Sequence, residues 1–410
     1  MKNTISSRAD EVIDRCRELA RITDVEGQTT RTFLSPAMRR ANDLVVSWMQ
    51  AAGLMTHIDA AGNLRGLRKS SLSTGRTLIL ASHLDTVPDA GPFDGPLGVL
   101  LSLAILQDAG PLPFNVEVIA FSEEEGVRFS FPFIGSRALT GELTEELLNR
   151  KDNQGITVRQ AIEASGLNIE QLAAAKIAKD HFAYLEFHIE QGPLLESEDR
   201  ALGVVQAIAG QSRYEFTFTG HANHAGTTPM SLRCDALTAA AEVVLEAERL
   251  ARATYGLVAT VGSLHTHPGA ENVIPGETVL TLDLRHADDG IREASLAHLL
   301  SFAKSSTTER GISLTVLPKV DQPAVCMDAA LTDLLYQAAA SSNPLRMTSG
   351  AGHDAMILAP HLPSAMLFLR TPGGLSHHPD ETVLADDVQL AIETGERFLH
   401  LLAAQEAQNA

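Results

Sequence analysis

Apolar positions recur along this chain in two styles, and the change between them falls near residue 208. Residues 8–22 carry Val12, Ile13, Cys16, Leu19 and Ala20 at intervals of three and four, which predicts a helix capped by Ser7. A second helix is expected over about 37–52, with Ala41, Leu44, Val45 and Trp48 on one face and Gly53 ending it. Continuous apolar runs at Leu78–Ala81 and Val116–Phe121 read as buried strands, and strands alternate with helical stretches up to about residue 206. That alternation predicts an α/β fold with a mostly parallel mixed sheet flanked by helices. Beyond 208, Tyr214–Thr219 alternates like a half-exposed strand. A helix is expected over about 231–252, strands over Leu257–Leu264 and Thr278–Arg285, a helix over about 291–304, and a strand over Ser313–Leu317. This βαββαβ-like order suits a small α+β unit with one open sheet face. After about 325 the first style returns. The patch 70–75 reads as a surface loop.

Length and charge narrow the classes. A chain of 410 residues with 44% hydrophobic content can bury full cores in two domains. With 32 basic and 51 acidic residues the net charge is −19, which argues against nucleic acid and anionic membranes as partners. Cys16, Cys234 and Cys326 are sparse, odd in number and show no CxxC pattern, so reduced thiols and a cytoplasmic location are expected. The first ten residues lack the apolar core of a secretory signal, and no 18-residue apolar stretch predicts a membrane span.

Candidate chemistry gathers where apolar runs end. His83-Leu84-Asp85 closes one such run, and the i, i+2 spacing of a strand lets Asp85 bond the His83 ring and free its other nitrogen for a metal. Asp94 lies in a Gly/Pro-rich turn just before the apolar segment Val99–Leu106. Glu123-Glu124-Glu125-Gly126 follows the second run, where three carboxylates could equally form a solvated loop. His188 sits in a short strand, His353 in the small-residue phrase Ser349–Ala355, and His377-His378 in a glycine loop. Together these ligands suit one or two borderline divalent cations such as zinc or manganese. A serine hydrolase would want Gly-x-Ser-x-Gly, a single-zinc protease His-Glu-x-x-His, and a dinucleotide enzyme Gly-x-Gly-x-x-Gly; Gly91, Gly95 and Gly98 are wrongly spaced for the last, and the others are absent.

Four phrases, His188-Ile-Glu-Gln-Gly-Pro, Asn223-His-Ala-Gly-Thr-Thr-Pro-Met, Asn272-Val-Ile-Pro-Gly and Ser349-Gly-Ala-Gly-His-Asp-Ala, carry a resemblance. The chain resembles the amidohydrolase branch of the dinuclear-metal aminoacylase/carboxypeptidase superfamily from about Ala81 to Glu381. That branch includes N-carbamoyl-L-amino-acid hydrolases, β-ureidopropionases, allantoate amidohydrolases and ureidoglycolate amidohydrolases. The resemblance implies a catalytic domain of residues 1–207 and 325–410 around an inserted lid and dimerisation domain, 208–324. It implies two divalent ions per subunit, zinc or manganese, with His83 and His188 on one, Glu125 and His377 on the other, and Asp94 shared. His188 stands where the peptidase branch usually has Asp. Glu124 is then the acid–base catalyst, Asp85 supports the site, and Glu123 is a spectator. His224 would stabilise the oxyanion from the partner subunit of a homodimer.

Asn272 and Arg285 match the pair that holds the substrate carboxylate in this branch, a task suited to a guanidinium fork. Gln191, Gly350 and His353 complete the expected substrate contacts. Gln211-Ser-Arg213 resembles the allantoate and ureidoglycolate enzymes, where carbamoyl-amino-acid hydrolases generally carry apolar residues. A ureido carboxylate is therefore the expected substrate, allantoate ahead of an N-carbamoyl-L-amino acid. His378 departs from the Asn or Ser expected after the ligand His377.

Overall fold

The computed structural model describes residues 7–72 and 75–409, with no account of the side chains of Gln408 and Asn409. The signal-free reading of residues 1–6 and the loop reading of Ser73 and Thr74 lie outside the described residues. The chain forms two compact units, residues 1–206 with 327–410, and residues 207–326.

Both expected N-terminal helices form. In Arg8–Ala20, Ser7 and Asp10 make a reciprocal capping box, and Val12, Ile13, Cys16 and Leu19 are buried. In Pro36–Ala51, Ser35 accepts from the Met38 amide and Pro36 opens the first turn. Its buried face is Ala37, Met38, Ala41, Val45 and Met49, leaving Leu44 and Trp48 only half-buried at its margin.

Six strands then follow: β1 (Met55–Ile58), β2 (Leu64–Arg68), β3 (Thr77–His83), β4 (Asn115–Phe121), β5 (His181–Ile189) and β6 (Leu202–Ile208). The second unit supplies β7 (Gly210–Thr219), β8 (Val258–His267), β9 (Glu277–His286) and β10 (Ser313–Gln322); β11 (Val325–Cys326), β12 (Leu345–Ser349) and β13 (Ser364–Leu369) follow, and then the helix Ala385–Asn409. The large sheet has the order β1-β2-β4-β3-β5-β13-β6-β11, with β12 also on β6. Its centre, β4-β3-β5-β13, is parallel, and antiparallel pairs flank it on both sides. The helix Pro96–Gln107 is buried on every side from Pro96 to Leu106, so it reads as an unbroken apolar run. It lies so close to the sheet that a Cβ on Gly98 would fall 2.0 Å from the Phe187 carbonyl oxygen. Parallel strands covered this way bring their carboxyl ends to one edge, where loops can converge.

The second unit is a four-stranded antiparallel sheet, β10-β7-β9-β8. Phe216, Phe218, Leu280, Leu282 and Leu284 pack with the helices Ala236–Ala253 and Asp289–Glu309. The first of these helices starts later than its apolar pattern predicts, because the Asp235 side chain accepts from Leu237 and Thr238 and fixes the N-cap there. Among the described residues, no helix is long and apolar enough to cross a membrane.

Candidate metal centre

His83 is the last residue of β3, residues 122–125 follow β4, and His188 lies one residue before the end of β5, so three neighbouring parallel strands deliver side chains to one edge. His83 Nε2 and His188 Nε2 face each other at 3.3 Å. Asp94 Oδ1 stands 3.3 Å from His188 Nε2 and 3.9 Å from His83 Nε2. On its other side, Asp94 Oδ2 is 3.2 Å from His377 Nε2, which is 3.7 Å from Glu125 Oε1. Two donor groups result, His83–Asp94–His188 and Asp94–Glu125–His377, with Asp94 in both.

The proton positions of the two rings follow from their other nitrogens. His83 Nδ1 lies 3.0 Å from the Asp85 carbonyl and His188 Nδ1 lies 3.0 Å from the Ile189 carbonyl. A carbonyl only accepts, so each neutral ring donates from Nδ1 and turns a lone pair outward at Nε2. Two lone pairs and a carboxylate oxygen then converge in a buried space, and among the described residues Asp94 Oδ1 has no hydrogen-bond partner. This is repulsive without a positive charge between them. Ligand atoms bound tetrahedrally at about 2.0–2.1 Å sit roughly 3.3 Å apart, which matches the closer spacings here. The donor set fits a divalent metal ion.

Electrostatics agree. Burial raises the pKa of Glu124 well above the ordinary carboxylate value, and Glu125, Asp354, Asp85 and Asp94 add to the effect. Burial and Asp94 do the same to Glu125. Burial lowers His188 to about 4. Burial also opposes ionisation of Asp94, but the hydrogen bond with His377 and the charges of His188 and His83 outweigh it and hold its pKa low. Carboxylates this crowded take up protons unless a cation is shared among them.

The structure corrects the expected role of Asp85. β3 ends at His83, so the strand spacing that would put the Asp85 carboxylate on the ring does not extend to it, and Oδ1 stays 3.8 Å away. The backbone carbonyl of Asp85 takes the ring instead, while its carboxylate accepts from the amides of Glu124 and Glu125 at 3.1 and 3.0 Å. One residue thus aligns a histidine with one group and two glutamates with another. Geometry also sorts the glutamate run. Glu123, at φ 53°, turns its carboxylate to the amides of Phe33, Arg128 and Phe129. Glu124 and Glu125 both group with His83, and Glu125 alone also meets Asp94 and His377.

Two residues expected to contact substrate are engaged with the ligand residues themselves. His353 is only 1% exposed, with its ring edge-on to His188 at 4.5 Å and Nε2 on the Ser349 hydroxyl, so packing directs it to support His188. The Gln191 amide donates to Asp94 Oδ2 at 3.0 Å and to Ser376 at 3.2 Å, because positive φ at Gln191 turns its side chain onto the Asp94 loop. Gly350 is exposed with open space where a Cβ would stand. His378 accepts the Asp380 amide within its own turn.

The remaining candidates lie in the second unit. Gln211 faces Arg285 across β7 and β9 and donates to Gln322 at 2.8 Å. Asp283 accepts from both Arg213 (2.8 Å) and Arg285 (2.9 and 2.8 Å), and against the cost of burial these guanidiniums lower its pKa. His224 pairs with Val273 beside Asn272, whose carbonyl accepts from Ala225. The Gly226 amide donates to His224 Nδ1 at 3.0 Å, so the neutral ring presents an N–H at Nε2.

Residues not singled out in the sequence also shape the centre. Glu381 and Ser376 reach the Asp94 loop, and Tyr184 donates to Glu186 at 2.8 Å below His188. Glu186 stands two residues before His188 on one strand face, which is the one local signal that pointed to it.

Comparison with known proteins bears on this arrangement. Residues 79–401 match the model of peptidase family M20/M25/M40. The chain is 41% identical over 423 residues to a rice (Oryza sativa subsp. japonica) protein named "Probable allantoate deiminase", covering 93% of this chain and 86% of that one. It is 39% identical over 379 residues to the N-carbamoyl-L-amino acid amidohydrolase of Geobacillus stearothermophilus, covering 90% and 91%. Among solved structures, a hydantoinase/carbamoylase family amidase from Burkholderia multivorans superposes with a TM-score of 0.89 at 32% identity, covering 96% of this chain and 97% of that one.

Proposed function

The chain belongs to peptidase family M20/M25/M40, in its amidohydrolase branch, and from that premise we propose that it hydrolyses a ureido C–N bond of a small carboxylate, with allantoate as the first candidate. The observation that carries the reaction class is the pair of imidazole lone pairs facing Asp94 Oδ1 in a buried space. We assign two divalent ions, zinc or manganese, to the two donor groups that share Asp94. Bound there, they would supply Lewis acidity and bring the pKa of water toward neutrality.

The protein's own groups supply the rest. Glu124, buried among carboxylates that raise its pKa, is suited to take a proton from water and return it to the leaving nitrogen. Asp85 holds the amides of Glu124 and Glu125, which keeps base and ligand at fixed spacing. His224, with Nε2–H available, would donate to the developing oxyanion from the partner subunit of a homodimer. Strand β8, an edge of the second unit's sheet among the described residues and exposed along most of its length, supports pairing with a second copy. Asn272 and Arg285 would hold the substrate carboxylate. The three free cysteines suit a reducing compartment, and we place the enzyme in the cytoplasm.

Overall identity separates the two substrate readings poorly, since the rice and Geobacillus relatives stand at 41% and 39%. Gln211 and Arg213 favour allantoate, because they offer polar groups where an amino-acid side chain would want apolar contact. Ammonia release by zinc- or manganese-reconstituted protein should be faster with allantoate than with a panel of N-carbamoyl-L-amino acids and ureidoglycolate. A preference for a carbamoyl amino acid would remove Arg213 from the substrate site and leave the metal chemistry standing.

A further inference from the structure

The two donor groups differ in how they are anchored. The inner group, His83–Asp94–His188, takes both histidines from strands. The outer group, Asp94–Glu125–His377, takes Asp94 and His377 from two irregular loops, residues 91–95 and 375–381, and among the described residues no ladder of backbone bonds joins the two. Their spacing therefore falls to side chains.

We infer that Glu381, together with the Gln191 amide that bonds Asp94 and Ser376, is a positioning residue that sets the distance between Asp94 and His377, and through it the affinity of the outer ion position. This rests on the metal-centre reading above. Glu381 is 3% exposed, and its Oε1 accepts from the amides of Phe93 and Asp94 at 2.8 and 2.9 Å. Its Oε2 meets the Ser376 hydroxyl at 3.3 Å, next to His377. Ser376 stands equally close to Asp94 Oδ2, at 3.3 Å, so the same hydroxyl touches both carboxylates. The fit is tight on the far side as well: a Cβ on Gly91 would fall 2.3 Å from the Glu381 Cβ. Among the described residues no Lys or Arg pairs with Glu381, and every bond its carboxylate makes goes to a loop that carries a ligand. A carboxylate placed only for general stability would have no reason to spend both oxygens this way. Because Asp94 serves both positions and His377 only the outer one, releasing the clamp should weaken the outer position selectively.

The test is zinc uptake by the full chain, titrated against a chromophoric chelator, with His377→Ala as the reference for loss of the outer position alone. Glu381→Ala should weaken one of two sites by about 10- to 100-fold, in the manner of His377→Ala, and leave the other within about threefold. Glu381→Gln, whose Oε1 can still accept both amides, should keep both sites close to wild type. Glu381→Asp, one methylene too short to span the loops, should behave as the alanine variant and provides the answer if Glu381→Ala does not fold. Folded Ala and Asp variants with two wild-type affinities, or with both sites weakened equally, would overturn the inference. A wild-type chain that takes up no zinc would overturn the metal centre itself, whereas two ions bound with wild-type affinities in the folded Ala and Asp variants would overturn the clamp alone.

Discussion

At the scale of the residue, the run Glu123-Glu124-Glu125 shows how backbone geometry assigns chemistry. Three identical side chains follow one strand, yet Glu123 is turned by its positive φ onto three amides, and Asp85 fixes the amides of the other two. Glu125 meets Asp94 and His377, whereas Glu124 does not. Glu124→Gln, which keeps shape and removes the base, should therefore lower kcat by about 10²–10⁴-fold while metal content stays unchanged. Glu125→Gln should lose metal. Measuring kcat beside bound metal in both variants checks the assignment, and the reverse pattern would exchange the two roles.

At the scale of the element, the sheet is tied by a buried charged cluster that takes no part in the chemistry. Arg65 on β2 makes a two-pronged contact with Glu117 on β4 at 2.9 and 2.8 Å, and His181 at the start of β5 adds a third bond at 2.9 Å. Burial alone would raise the pKa of Glu117, but His181 and Arg65 outweigh it and lower it to about 2. A carboxylate with a depressed folded pKa contributes stability above its unfolded pKa, near 4.5, and loses that contribution as pH falls toward 2. The contribution at neutral pH is on the order of 3 kcal/mol, and breaking one partner of a buried pair costs a similar amount. Glu117→Gln should accordingly lower the urea midpoint at pH 7, and its deficit relative to wild type should shrink between pH 4.5 and 2. A deficit that does not change with pH would show that packing, not charge, holds these strands.

At the scale of the whole molecule, the proposed chemistry is divided between the two units. The proposed metal ligands belong to the first, and His224, Asn272, Gln211, Arg213 and Arg285 to the second. If His224 acts across a twofold dimer, two inactive variants can repair each other. Glu124→Gln mixed with His224→Ala, unfolded and refolded together, should regain about a quarter of wild-type activity, since random pairing makes half the dimers mixed and one site in each complete. A mixture as inactive as its components would place His224 in its own subunit's site.

The sequence by itself determined many of the elements and the kinds of ligand. Periodicity located the helices Arg8–Ala20 and Pro36–Ala51 and the alternation of β7, because a side chain's burial follows from its place in a local repeat. The histidines at strand ends and the four family phrases named the chemistry. Only the tertiary structure decided that the Asp85 carbonyl holds His83, that the amides of Phe33, Arg128 and Phe129 hold the spectator Glu123, that His353 packs behind His188 and that Glu381 joins the loops of Asp94 and His377. Each of these depends on where a loop turns after its strand stops and on which distant segment it meets. No local repeat encodes that convergence; it is set when the parallel strands bring residues 83, 94, 125, 188 and 377 to the same edge of the sheet.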